Sequence, residues 1–157
     1  MPRIVTCLWF DDQGEEAAAF YTSVFPNSRV TEVTRYPKVP VGEEGAVMTV
    51  SFVLDGHEYL ALNGGPQVGF TEAISPMVHC ATQEEIDRYW TALTEGGEEG
   101  PCGWLKDRYG LSWQIVPTVL LELNADPDRD RAARAMHAML QMTKLDIAEL
   151  VRAADGS

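Results

Sequence analysis

The chain has 157 residues, with 12 Lys and Arg against 24 Asp and Glu and a formal net charge of -12. That length suits one domain or two small modules able to bury a core, while the negative charge repels phosphate backbones and anionic membranes and argues against nucleic acid or a membrane as partner. Cys7, Cys80 and Cys102 are odd in number and contain no CxxC pair, so they outline neither a disulfide framework nor a four-cysteine zinc site, and a reducing, cytoplasmic setting is expected. The opening "MPRIVTCLWF" turns acidic at Asp11 and Asp12, and no apolar run approaches the ~20 residues that span a bilayer, so neither a targeting signal nor a membrane span is read.

In chain order, "RIVTCLWF" is β-rich, and "GEEAAAFYTSVF" has acids in its first turn, helix-forming alanines and an apolar stripe ending before Pro26: a strand, then a helix. "SRVTEVTRY" alternates β-branched with polar residues, "PKVPVGEEG" breaks the chain, and "AVMTVSFVLDGHEYLALN" reads as two strands joined at Asp55-Gly56. After "GGPQVGF", "AISPMVHC" predicts a strand and "TQEEIDRYWTALTEGG" a helix with a capping-type start and glycine past its end.

The order has begun again. "EEAAAFYTSV" from Glu15 and "EEIDRYWTAL" from Glu84 align at an offset of 84 - 15 = 69, which also pairs Thr6 with Ser75, Leu8 with Met77 and Phe10 with His79. Two βαβββ modules follow, the second closing with "GWLKDRYGLSWQIVP", where Tyr109-Gly110 stands in for Asp55-Gly56 and the middle strands must be shorter. Beyond Pro117, "DPDRDRAARAMHAMLQMTKLDIAELVRAA" predicts a helix begun at Asp126 and Pro127, a break near Thr143 and a short helix from Asp146. The expected class is α+β: residues 1–117 as paired modules (3–63 and 73–117) whose curled mixed sheets surround a cavity, and 118–157 as a C-terminal helical extension.

Paired βαβββ modules with "FYTSVFP" after the first strand and "DRYGLSWQIV" at the end resemble the vicinal oxygen chelate superfamily of glyoxalases, extradiol dioxygenases and bleomycin-resistance proteins. More closely, "LWFDDQGEEAAAFYTSVFPNS", "ALNGGP", "EEIDRYWTALTEGGEEGPCGWLKDRYG" and "SWQIVPT" resemble the PhnB-like family, often labelled 3-demethylubiquinone-9 3-methyltransferase, and the likeness reaches into "TKLDIAEL". The resemblance implies ligands projecting from the first and last strands of each module, and a homodimer in which modules pair within or between chains. With Thr6 and Ser75 at first-strand ligand positions, strand alternation turns Leu8, Phe10, Met77 and His79 inward and Cys7, Trp9, Val78 and Cys80 toward the helices.

The positions that match the superfamily's metal ligands hold Thr6, Leu60 or Ala61, Ser75 and Gln114. Two hydroxyls, an aliphatic and an amide supply no charge to a divalent ion and little to replace its hydration shell, so no metal and no other cofactor is expected. His79, about 13 Å beyond Ser75 along an extended strand, is poorly placed to substitute; it is either a strand histidine satisfied by a neighbour or a pocket hydrogen-bonding group. His57 falls in a solvated turn, and His137 in an amphipathic helix whose core stripe is Met136, Met139 and Leu140. Cys102, in the bend "GPCGWL", reads as a structural thiol or an exposed nucleophile, and Trp104 as a stacking platform or a core residue. "NGGP" suits a connecting turn, and "DPDRDR" lacks the central glycine and the glutamate of a calcium loop.

The residues expected to meet a ligand are therefore Thr6, Phe10, Ser75, Met77, His79, Cys102, Trp104 and Gln114. They suit a metal-free protein that binds an unidentified small molecule. The competing expectations are an enzyme, either a metal-dependent lyase or oxygenase or a metal-free transferase helped by His79 or Cys102, and a protein acting through its acidic surface. Methyl transfer is not expected, since no strand runs into a glycine-rich loop with an acidic ribose partner for S-adenosylmethionine.

Overall fold

A computed structural model describes residues 2–157. The chain divides into two units, one reaching Phe70 and the other running Thr71–Ser157.

The first unit runs β1 (Thr6–Phe10), α1 (Gly14–Val24), β2 (Arg29–Arg35), β3 (Val47–Leu54) and β4 (His57–Asn63), in a sheet of order β1-β4-β3-β2 with β1 parallel to β4. Asp55 and Gly56 close the β3–β4 hairpin at φ 45° and 83°, the two positive values that a two-residue hairpin turn needs. In α1 the buried set is Gly14, Ala17, Ala18 and Tyr21, a helical stripe laid on one sheet face. Gly14 permits the close approach: a Cβ there would stand 2.7 Å from Asn63 Oδ1, the atom that accepts the Gly14 N–H at 2.7 Å. Leu8, Val50 and Phe52 fill the space beneath, each stabilising the unit by about 1.5–3 kcal/mol relative to exposure.

The second unit repeats the order as β5 (Met77–Cys80), α2 (Gln83–Thr94), β6 (Glu98–Glu99), β7 (Trp104–Lys106) and β8 (Ser112–Pro117), with sheet order β5-β8-β7-β6 and β5 parallel to β8. Its middle strands are short, two and three residues. Thr82 caps α2 by accepting the Glu85 N–H at 3.2 Å, while Glu85 Oε2 accepts the Ala81 N–H at 2.9 Å, a reciprocal arrangement that satisfies two end donors. Ile86, Tyr89, Trp90 and Leu93 form the buried stripe of α2.

Three helices follow, α3 (Thr118–Asn124), α4 (Arg129–Met139) and α5 (Ile147–Asp155). Their core joins Leu120, Leu123, Ala135, Leu145, Leu150 and Ala154 to Val116 of β8. Gln83 holds the segment before α5 at both ends of its amide, donating to Leu145 O at 3.0 Å and accepting the Ile147 N–H at 2.8 Å. Asp146 caps α5 as expected from the sequence. Among the described residues no helix is long and apolar enough to cross a membrane.

Three expectations are corrected. The inward set fails for the first strand: Leu8 and Phe10 are 6% and 3% exposed, and Leu8 pairs with Ala61, whose side chain lies under Gly14, so Leu8, Phe10 and Thr6 share the face that α1 covers. Cys7 and Trp9 take the open face. In β5 the expected parity agrees with the burial pattern: Met77 and His79 are exposed, and Cys80 is buried toward α2. The matching of strand pairs, Leu8↔Ala61 with Val78↔Ile115, gives an offset of 70, against 69 for the helices. The connection from β1 to α1, residues 11–13, is one residue longer than that from β5 to α2, residues 81–82, and one residue of slip exchanges the two faces of a strand.

In α4 the buried residues are Ala132 and Ala135; of the expected stripe Met139 packs against the core, whereas Met136 and Leu140 are 46% and 53% exposed. The start of α4 also moves: Asp128 caps it, accepting from Asp130 and Arg131, while Asp126 pairs with Arg131 at 2.9 Å. α3 has no counterpart in the sequence reading; it begins straight from β8 with Pro117 at its cap and no side-chain cap bond to signal it.

Candidate functional site

The second sheet carries α2 on one face, where Trp113, Ile115, Leu105 and Cys80 are buried. Strand alternation puts Ser112, Gln114 and Val116 of β8 on the other. Register places Met77 and Trp104 on either side of Gln114, His79 beside Val116 and Lys106 beside Ser112. The α3–α5 core buries Val116 and Ser112 is buried too, so along β8 this face is open at Gln114.

At its centre Gln114 Nε2 donates to Ser75 Oγ at 2.9 Å. The bond fixes the amide's orientation, leaving the Ser75 hydroxyl hydrogen and Gln114 Oε1 for other partners. Gln114 is anchored twice, since its backbone N–H donates to Pro76 O at 3.0 Å. Lys106 Nζ meets Glu72 Oε1 at 2.7 Å. The bond from Lys106 holds the Glu72 carboxyl below its usual range and raises the Lys106 ammonium in return; both groups are solvent-exposed enough for salt to screen the pair. A cavity of about 110 Å³ opens beside them, lined by Trp104, Lys106, Ser112, Glu72 and Glu98 among others.

The turn that presents β7 and β8 rests on Asp107, 3% exposed. Its Oδ1 accepts the N–H groups of Tyr109 at 2.8 Å and Leu111 at 3.1 Å, and its Oδ2 accepts the Trp113 indole N–H at 2.8 Å. Sequence reasoning passed over Asp107 and Lys106 as site-building residues, and it left Ser112 out of the candidates although strand parity puts it on the face of Gln114. The Asp-x-x-Gly spacing of a side-chain-stabilised turn was the available signal for Asp107; Ser112 and Lys106 become neighbours only through the β7–β8 register.

Of the eight candidates, Ser75, Met77, Trp104 and Gln114 lie side by side on this face. His79 sits one pleat further on, exposed and without a side-chain hydrogen bond among the described residues. Cys102 stands at the entry to β7 with φ 60°, its N–H donating to Met142 O at 2.8 Å, and so belongs to the anchor of the C-terminal segment. Phe10 is in the interior of the first unit, 5.3 Å from the Phe70 ring in an edge-on contact, and exposed Thr6 shares its face. The first unit's open face offers Cys7, Trp9, Leu60 and Leu62, with the Trp9 indole donating to Gly65 O at 2.9 Å. At the end of that sheet a shallow cavity of about 420 Å³ is rimmed by Asp11, Asp12, Glu15 and Glu43, all exposed.

Two modules of strand, helix and three strands, each forming a four-stranded mixed sheet, define the glyoxalase-like fold of the vicinal oxygen chelate superfamily. Residues 2–116 match the family model described as 3-demethylubiquinone-9 3-methyltransferase, and the chain belongs to that PhnB-like family. The PhnB protein from Bacillus cereus is 35% identical, with 74% of this chain and 100% of that chain covered and a TM-score of 0.66. Protein PA1353 from Pseudomonas aeruginosa is 20% identical over 74% and 98%, at TM-score 0.62. A mutant of the fosfomycin resistance protein FosX from Listeria monocytogenes, complexed with Mn(II) and 1S,2S-dihydroxypropylphosphonic acid, is 14% identical over 74% and 92%, at TM-score 0.55. No curated protein matches.

The superfamily's divalent metal does not fit the residues present. The strand pairing selects Leu60, on the open face, as the counterpart of Gln114, and it makes Val5 rather than Thr6 the counterpart of Ser75. An amide and a hydroxyl already bonded to each other, with two aliphatics, offer no charged donor. Among the described residues no group of three His, Cys, Asp or Glu is arranged to hold a metal ion.

Proposed function

We propose that the protein binds a small organic molecule on the open face of its second sheet, through neutral hydrogen-bonding groups and without a divalent metal. The observation that carries this reading is the Ser75–Gln114 pair: a preoriented amide and hydroxyl, flanked by Met77 and Trp104, at the position where the superfamily places charged ligands. Apolar walls with a few fixed polar groups are the usual composition of a small-molecule site. Methyl transfer is not part of the proposal. The strand-to-helix turns, residues 11–13 and 81–82, contain no glycine that would let a nucleotide-like cofactor approach the backbone. The working form is proposed to be a homodimer, since each sheet ends in strands paired on one side only and such edges favour association; light scattering at the mass of one chain would contradict it.

The test is a fragment screen on nitrogen-15-labelled protein, read at the Gln114 side-chain amide. Ligands are expected to shift that signal saturably, and Gln114→Ala to weaken them about fivefold or more, the loss of one or two hydrogen bonds. Ligands that bind equally well to Gln114→Ala, or that need an added divalent ion, would contradict the reading.

A further inference from the structure

Among the described residues, the Ser112 hydroxyl is the one buried side-chain polar group on this face without a hydrogen-bond partner. Ser112 is 1% exposed and its Oγ has no hydrogen-bond partner, an arrangement that is costly unless something else occupies the site. It lines the cavity of about 110 Å³ together with Trp104, Lys106, Glu72 and Glu98. At about 30 Å³ per water-sized group that space takes three or four heavy atoms.

Charge decides the class of occupant. Lys106 is neutralised by Glu72 at 2.7 Å. Glu98 pairs in register with Lys106, so it projects on the same face and its charge acts on that ammonium, but among the described residues its carboxylate makes no contact ion pair or hydrogen bond. Glu99, on the alternate side, takes the Trp90 indole N–H at 2.8 Å. Glu72 and Glu98 thus set two carboxylates against the single Lys106 ammonium, beside the buried Ser112 and the partly buried ring of Trp104. A carboxylate ligand would compete with Glu72 and Glu98 for a single ammonium. An ammonium ligand finds a carboxylate, a hydroxyl acceptor and an aromatic face, which attracts cations in its own right.

We propose that this cavity binds a small primary ammonium, which donates to Ser112 Oγ and the Glu98 carboxylate and lays its alkyl body against Trp104. The inference rests on the proposed open-face binding and names the ligand chemistry of its Ser112 end.

The experiment titrates the labelled full-length protein with n-propylammonium chloride, with sodium propionate and sodium chloride as matched controls. It follows the Trp104 indole N–H, assigned with Trp104→Phe. The ammonium is expected to shift the signal saturably while both controls leave it in place, and Ser112→Ala to weaken binding roughly fivefold. Glu98→Gln, at an exposed edge position that leaves the interior untouched, is expected to weaken it by a similar factor. Equal binding of propionate, no saturable shift, or unchanged affinity in both variants would overturn the inference. If Trp104 stays silent while fragments still shift the Gln114 amide, the ammonium assignment fails and open-face binding stands; if neither signal moves, both fail.

Discussion

Asp107 shows how much one side chain organises here. A buried carboxylate that accepts two backbone N–H groups and an indole N–H holds the turn between β7 and β8, and with it the spacing of Lys106, Ser112 and Gln114. Asp107→Ala removes the carboxylate that accepts three donors, two of them buried, and is expected to lower the unfolding free energy by about 2–4 kcal/mol in urea titrations; a loss below about 0.5 kcal/mol would mean that the carboxylate is dispensable. Cys80 is a different case. Burial, reinforced by the Glu85 charge and opposed by Arg88, pushes its thiol up from 9.0 to about 11. A group protonated more firmly when folded contributes stability below the unfolded value and loses it as pH rises, here between pH 9 and about 11. Stability is therefore expected to fall more steeply across that window in the wild type than in Cys80→Ala. Parallel pH profiles would assign the alkaline loss to other groups.

Elements were easier to read from the sequence than the faces they present. Helical stripes at Ala17, Ala18, Tyr21 and at Ile86, Tyr89, Trp90, the Asp55-Gly56 hairpin and the Asp146 cap all follow from local chemistry. The orientation of β1 did not, because the helix match at offset 69 is blind to an extra residue between strand and helix, and that residue turns Phe10 from a ligand candidate into a core residue. Apolar Leu8 and Phe10 alternating with Cys7 and Trp9 left both faces plausible on hydropathy alone. The stripe of α4 misled for a related reason: alanines pack closest where helices cross, and the larger Met136 and Leu140 remain outside. The C-terminal helices depend on contacts that no local pattern encodes, above all the Gln83 amide spanning Leu145 and Ile147. Gln83→Ala is expected to cost about 1–2 kcal/mol, two hydrogen bonds to backbone, and to remove the hydrogen-exchange protection of the Ile147 amide first. Wild-type protection at Ile147 in that variant would show that the segment is held by its apolar core alone.

For the whole molecule, the fold is that of a superfamily named for chelation, on a chain whose matching positions hold Val5, Leu60, Ser75 and Gln114. A net charge of -12 attracts divalent cations diffusely, and such binding fades with salt because exposed charges are screened within about 8–10 Å. Specific coordination would not. The decisive measurement is calorimetric titration of chelator-treated protein with Mn²⁺, Ni²⁺ and Zn²⁺ at physiological salt, repeated on Gln114→Ala. The expected result is no stoichiometric site tighter than about 100 μM, or roughly 5.5 kcal/mol, and no difference between the two proteins. One ion per chain bound at micromolar affinity or better, and lost in Gln114→Ala, would contradict the metal-free account at its centre.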